Sequence, residues 1–140
     1  MFNTEDDLVT VLCAYLIQDG HEVFREVALY GRRIDVLAVR KTTMYAFEAK
    51  LSRWSQALMQ AQRHLVAVNY STVVMPLSIA QRIRPEPFQR VGIGLVGISW
   101  ERSVSMTDPS LSRELWEPAQ TQLMQTIECF RETGTTLCIM

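Results

Sequence analysis

Two short apolar runs, Ile34–Val39 and Met44–Ala49, flank the polar break Arg40–Thr43. That pattern is the signature of a β-hairpin. Each run carries charge where a half-buried strand should be apolar: Asp35 in the first, Glu48 and Lys50 in the second. Side chains alternate faces along a strand, so Glu48 and Lys50 point one way while Phe47 and Ala49 point the other. A turn centred between Lys41 and Thr42 sets Asp35 directly across from Glu48, and opposed residues of an antiparallel pair share a face. The turn sequence Arg-Lys-Thr-Thr lacks the Asn-Gly signature, so this register rests on the centring alone. Opposed carboxylates repel. A divalent ion between them would turn that repulsion into coordination, and hard oxygen ligands suit Mg²⁺ or Mn²⁺.

The remainder of the chain supplies a frame for such a hairpin. One hundred and forty residues suit a single domain, 1–140, with a real core. Hydrophobic content of 48% and charged content of 21% are those of an ordinary globular protein. No apolar run reaches the length of a membrane span. The acidic start Glu5-Asp6-Asp7 is the opposite of a signal peptide's basic region, so the expected location is cytoplasmic and no membrane partner is expected. The net charge of −1 is unevenly spread: residues 21–102 hold 12 Lys/Arg against 6 Asp/Glu, while both ends are acidic. A basic middle suits a phosphate-bearing partner, although solvated surface arginines explain it as well. Cys13, Cys129 and Cys138 have no paired-ligand spacing and read as core thiols.

Thr4 followed by three acids starts a helix that Leu8, Val9, Leu12, Tyr15 and Leu16 continue at helical spacing to Asp19-Gly20. His21–Val27 reads as a strand next to Asp35, and it carries Glu26; His21 itself reads as an exposed turn residue. A second helix is expected from Arg53 to Val68, capped by Ser52, with Leu58, Ala61, Leu65 and Val68 as its apolar stripe. Gln56, Gln60 and Arg63 share its polar side. Trp54 reads as core and His64 as a surface residue. Tyr70–Met75 is a buried strand, Ser78–Arg84 a short helix, and Pro85-Glu86-Pro87 a loop. The run Gly92–Ile98 contains Gly-x-Gly-x-x-Gly, but as a strand rather than the opening of a helix, so close backbone packing explains it best. Met106–Ser112 reads as a polar link. The segment from Leu111 or Arg113 to Glu132 reads as a helix, with Pro118 marking its true first turn and Gly134 ending it. Residues 135–140 form an apolar tail suited to a last strand or a homodimer contact.

Asp35, a spacer, and Glu48-Ala49-Lys50 at the end of the next strand, followed by a helix bearing Gln60-Ala61, resemble the PD-(D/E)XK or restriction-endonuclease-like nuclease superfamily over roughly residues 5–76. Ile34 stands where the Pro of the motif would be. The resemblance implies a restriction-endonuclease-like α/β fold, a mixed central β-sheet flanked by helices on both faces. It also implies hydrolysis of DNA phosphodiester bonds, with RNA the less expected substrate. Asp35, Glu48 and the main-chain carbonyl of Ala49 would hold Mg²⁺ or Mn²⁺. Lys50 would position the attacking water or offset transition-state charge, and Gln60 would hold a metal-bound water or a phosphate. In many members an acid early in the first helix reaches the metal, which Glu5 matches best here with Asp6 and Asp7 competing, although helix dipole and solvent account for these acids better. Glu26 is a further candidate at the site, and Arg32, Arg33, Arg53 and Arg63 are candidate phosphate contacts. The competing expectation is a catalytically inactive nuclease-fold module that binds nucleic acid or a partner within a defence, repair or mobile-element complex.

Overall fold

The computed structural model describes residues 2–134. The Thr4 hydroxyl accepts from the Asp7 amide at 3.0 Å and caps α1 (Glu5–Gln18), whose first turn holds the three acids. Strands β1 (Glu22–Leu29), β2 (Arg32–Arg40) and β3 (Thr43–Ala49) follow as an antiparallel meander. The β2–β3 ladder runs from Arg40–Thr43 to Val36–Phe47, the register expected from a turn centred between Lys41 and Thr42. Lys41 takes the positive φ, 57°, that such a two-residue turn needs. Helix α2 (Trp54–Arg63) and a 3₁₀ turn (His64–Val66) lead to β4 (Tyr70–Pro76), which lies parallel to β3. Two short helices, α3 (Leu77–Ala80) and α4 (Glu86–Val91), connect to β5 (Gly94–Ile98), parallel to β4. Strand β6 (Ser103–Thr107) returns antiparallel, and α5 (Glu117–Thr133) follows it.

The architecture is α/β: a mixed six-stranded sheet in the order β1-β2-β3-β4-β5-β6, with helices on both faces. Strand alternation decides which helix each residue meets. Val36, Ala38, Phe47, Ala49 and Val74 turn to α1 and its Leu8, Leu12 and Leu16. On the other face α5 covers Phe24, Leu37 and Val39 with Ala119, Leu123 and Ile127. There α2, α3 and α4 cover Val73, Met75 and Leu95. Helix α2 turns fully buried Ala57 and Ala61 to the sheet, and the Ser71 hydroxyl donates to the Ala61 carbonyl at 2.7 Å, fixing the helix to β4.

Several local expectations change. The helix after β3 has Arg53, not Ser52, at its cap; Arg53 takes a left-handed φ of 58° and makes no side-chain cap bond. Its last turn tightens to 3₁₀ at His64. Pro87 lies in the first turn of α4 rather than in a loop, because a proline there removes no intrahelical hydrogen bond. Strand β6 takes in Met106 and Thr107, the start of the expected polar link, at the end of the short alternation Ser-Val-Ser-Met-Thr. The last helix starts at Glu117, with Pro118 in its first turn. His21 is not an exposed turn residue: its ring is largely buried against Tyr45. Trp54 leans on Phe88 but is 36% exposed. Cys13 is buried and Cys129 half-buried; Cys138 and the tail 135–140 lie outside the described residues.

Candidate functional site

One step past the end of the β2–β3 ladder, Asp35 and Glu48 face each other on the α2 side of the sheet. They stand in a cavity of about 310 Å³ lined by Arg32, Arg33, Asp35, Glu48, Gln60, Arg63 and His64. Its place follows from the layers: on this face α5 packs over the β1 side and α2 over β3–β4, and the lining residues stand between the two. Gln60, Arg63 and His64 recur at i, i+3 and i+4, so one helical face supplies the whole wall.

Asp35 is held by its own backbone neighbourhood. Its Oδ2 accepts from the Ala49 amide at 3.0 Å, and Arg33 approaches Oδ1 at 3.5 Å. Burial and then the charge of Glu48 push the Asp35 carboxyl up to about 6, and a hydrogen bond to Glu48 adds to the rise; the Ala49 amide and Arg33 pull the other way. The Asp35 carboxyl is therefore harder to ionise than an exposed one, because its charge would sit desolvated beside another acidic side chain. On the far side of β3 the Lys50 amide donates to the Val74 carbonyl at 3.0 Å. The N–H and C=O of Ala49 thus leave the edge that faces β2, which brings its carbonyl to the Asp35 side.

Glu48 is 5% exposed, and its Oε1 accepts from His64 Nε2 at 2.8 Å; His64 is 4% exposed. The expectation of a surface histidine is corrected here. His64 lies in step with Ala57, Ala61, Leu65 and Val68, so its spacing already marked it as part of the buried face. The Gln60 side-chain oxygen is buried with no hydrogen-bond partner.

The other expected residues lie outside the cavity lining. Glu5 is exposed at the start of α1, the helix on the opposite face of the sheet. Glu26 lies opposite Asp35 in the β1–β2 register, between Arg25–Val36 and Val27–Ile34, but it is exposed and bonds Arg33 Nη1 at 3.1 Å. Lys50 is half-buried where the chain leaves β3; among the described residues it makes no ion pair and does not line the cavity. Arg53 is exposed at the cap of α2.

Among the described residues no group of three or more His, Cys, Asp and Glu side chains is arranged to hold a metal ion. Two carboxylates are nevertheless what Mg²⁺ commonly takes from a protein, with waters completing its shell. The Asp35 and Glu48 side chains and the unpartnered Gln60 oxygen form a donor set that fits such an ion.

No protein-family profile and no curated protein matches the sequence. The fold is similar to a solved structure, the SPO1766 protein of unknown function from Silicibacter pomeroyi, at a TM-score of 0.71 and 16% identity. The match covers 96% of this chain and 90% of that one. Among the described residues no helix is long and apolar enough to cross a membrane.

Proposed function

We propose that the chain is a restriction-endonuclease-like, metal-dependent nuclease of the cytoplasm that hydrolyses phosphodiester bonds of DNA. The observation that carries this reading is the Asp35–Glu48 pair, two acidic side chains brought together in one cleft beside the unpartnered Gln60 oxygen. Asp35 and Glu48 would hold Mg²⁺ or Mn²⁺, with the Ala49 carbonyl and the Gln60 oxygen as further ligands. When bound, such an ion acts as a Lewis acid on the phosphate and acidifies a water. The chain's own residues do the remaining work. His64 fixes the rotamer of Glu48 through the 2.8 Å hydrogen bond. Arg32, Arg33 and Arg63 line the mouth and orient the phosphodiester by charge-assisted hydrogen bonds. Since Lys50 stands outside this lining, the reading gives charge neutralisation to the arginines first.

The test is thermal unfolding in Mg²⁺ or Mn²⁺, run beside cleavage of labelled linear, circular, branched and single-stranded substrates. Metal at a hundredfold excess over Kd adds about 2.7 kcal/mol. The melting temperature should therefore rise by several degrees in the wild type and not in Asp35→Ala. Cleavage should disappear in Glu48→Ala. A second reading, a module that binds nucleic acid or a partner without cutting it, is favoured by the pairing of Glu48 with His64, which leaves that carboxylate satisfied without metal. Absence of both the metal shift and cleavage, with nucleic-acid binding retained, would select it.

A further inference from the structure

Two exposed aromatic rings, Tyr30 and Trp116, pack against each other on segments that adjoin the cavity-lining residues in the chain. Tyr30 is 50% exposed and Trp116 55% exposed, and their ring centroids are 6.1 Å apart at 45°. Both are fixed to the cavity wall by their neighbours. Tyr30 belongs to the two-residue turn between β1 and β2, and Arg32, which lines the cavity, follows two residues later. The Trp116 amide donates to the Val66 carbonyl at 2.8 Å, at the end of the 3₁₀ turn that begins with His64 of the cavity wall. Tyr30 also holds a left-handed φ of 50°, a conformation that a bulky side chain adopts at a cost. Two large aromatics held in water at a turn and a loop thus border three arginines at the mouth of an acidic cleft.

We infer that Tyr30 and Trp116 form a stacking platform for unpaired nucleotides beside the scissile phosphate, so that the protein takes single-stranded or locally melted nucleic acid. The inference rests on the nuclease-fold reading for the identity of the ligand, because the arginines and the cleft define the path of the backbone. The chemistry favours single strands. A base inside a duplex has both faces covered by its neighbours, whereas an unpaired base offers a face to an aromatic ring, and cationic grooves with exposed rings bind single strands without reading sequence. The arginines match the phosphates in charge, and the rings are tied to the segments that carry Arg32 and His64 of the cleft.

Binding in EDTA separates this inference from the catalytic reading, since no metal or cleavage is involved. The probes are short oligothymidylate, oligouridylate and a blunt duplex of equal length, followed by tryptophan fluorescence. The expected result is quenching by the single strands at concentrations at least tenfold below those the duplex requires. Trp116→Phe should lose most of the quenching but keep the affinity within a few-fold. Trp116→Ala and Tyr30→Asn should each weaken single-strand binding by about tenfold or more. Asn suits a positive φ, so Tyr30→Asn removes the ring without straining the turn. The log–log salt slope should be about −2, as three arginines on single strands give. Tighter duplex binding, quenching that survives in Trp116→Phe, or no binding at all would overturn the inference. So would a stable homodimer by light scattering in which Trp116 is protected from acrylamide, since the rings would then be a protein contact. Failure of metal-dependent cleavage with single-strand binding intact would leave this inference standing and remove only the catalytic reading.

Discussion

Glu48 and His64 bury a carboxylate and an imidazole against each other, and neither can lose its partner cheaply. His64→Ala would leave Glu48 desolvated without its hydrogen bond. Urea unfolding should show a loss of about 2–4 kcal/mol, with part of it restored in His64→Gln. A loss under about 0.5 kcal/mol would mean that water already satisfies Glu48. Asp35 gives a pH signature. Its carboxyl titrates at about 6 in the folded chain, against roughly 3.9 in an unfolded one. A raised folded-state pKa contributes stability below the unfolded value and loses it as pH climbs through the folded one. The stability of the wild type relative to Asp35→Asn should therefore fall between about pH 4 and pH 6 and level off above it. The drop should be on the order of 2 kcal/mol, since Arg33 and nearby solvent temper it. A difference that is flat across that range, or that slopes the other way, contradicts the assignment. Glu26 carries backbone strain. It holds φ at 54° in mid-strand, and the burial phase of β1 shifts there, so Phe24, Val27 and Leu29 enter one core cluster. Its exposed pair with Arg33 contributes little. Glu26→Gly should stabilise the chain by about 0.5–1 kcal/mol in chemical denaturation, and a destabilised variant would show that the ion pair outweighs the strain.

At the scale of elements, close approach explains what glycine does in β5. A Cβ on Gly97 would lie 2.8 Å from Leu77 Cδ1 and 3.0 Å from the Leu77 Cα, so the contact is with the backbone of α3 as well as with a movable side chain. Gly97→Ala should cost about 1–3 kcal/mol by calorimetry. An unchanged melting temperature would mean that α3 yields freely. The hairpin was legible from sequence because its signal is local: a period of two, a polar break and a turn centre fix the register of Asp35 and Glu48 together. Helix α2 is legible in outline, but its 3₁₀ ending is not, and a lone histidine reads as a surface residue although its spacing puts His64 in step with the apolar stripe. Strand β6 alternates exposed Ser103 and Ser105 with half-buried Val104 and Met106, but the pattern is only five residues long, and pairing with β5 is what makes it a strand.

At the scale of the molecule, the cleft exists because two helical layers cover the same sheet face and leave a strip between them. The α5 layer packs over β1 and β2, the α2 layer over β3 and β4, and charged residues of the intervening strip meet solvent there. The basic middle of the chain converges on that strip through Arg32, Arg33 and Arg63, whereas Arg53 and Lys50 stay outside it. That division was illegible from composition, because a charge count says nothing about which side of a sheet or helix a residue ends up on.

The sequence by itself determined the hairpin, its register and the meeting of Asp35 with Glu48, since strand alternation and turn length are properties of a dozen consecutive residues. Tertiary structure alone decided that His64 would be the partner of Glu48, that Lys50 and Glu5 would lie away from the cleft, and that Tyr30 and Trp116 would adjoin it. Those relations join segments distant along the chain. The packing of helices across the sheet fixes them, and no local period encodes it.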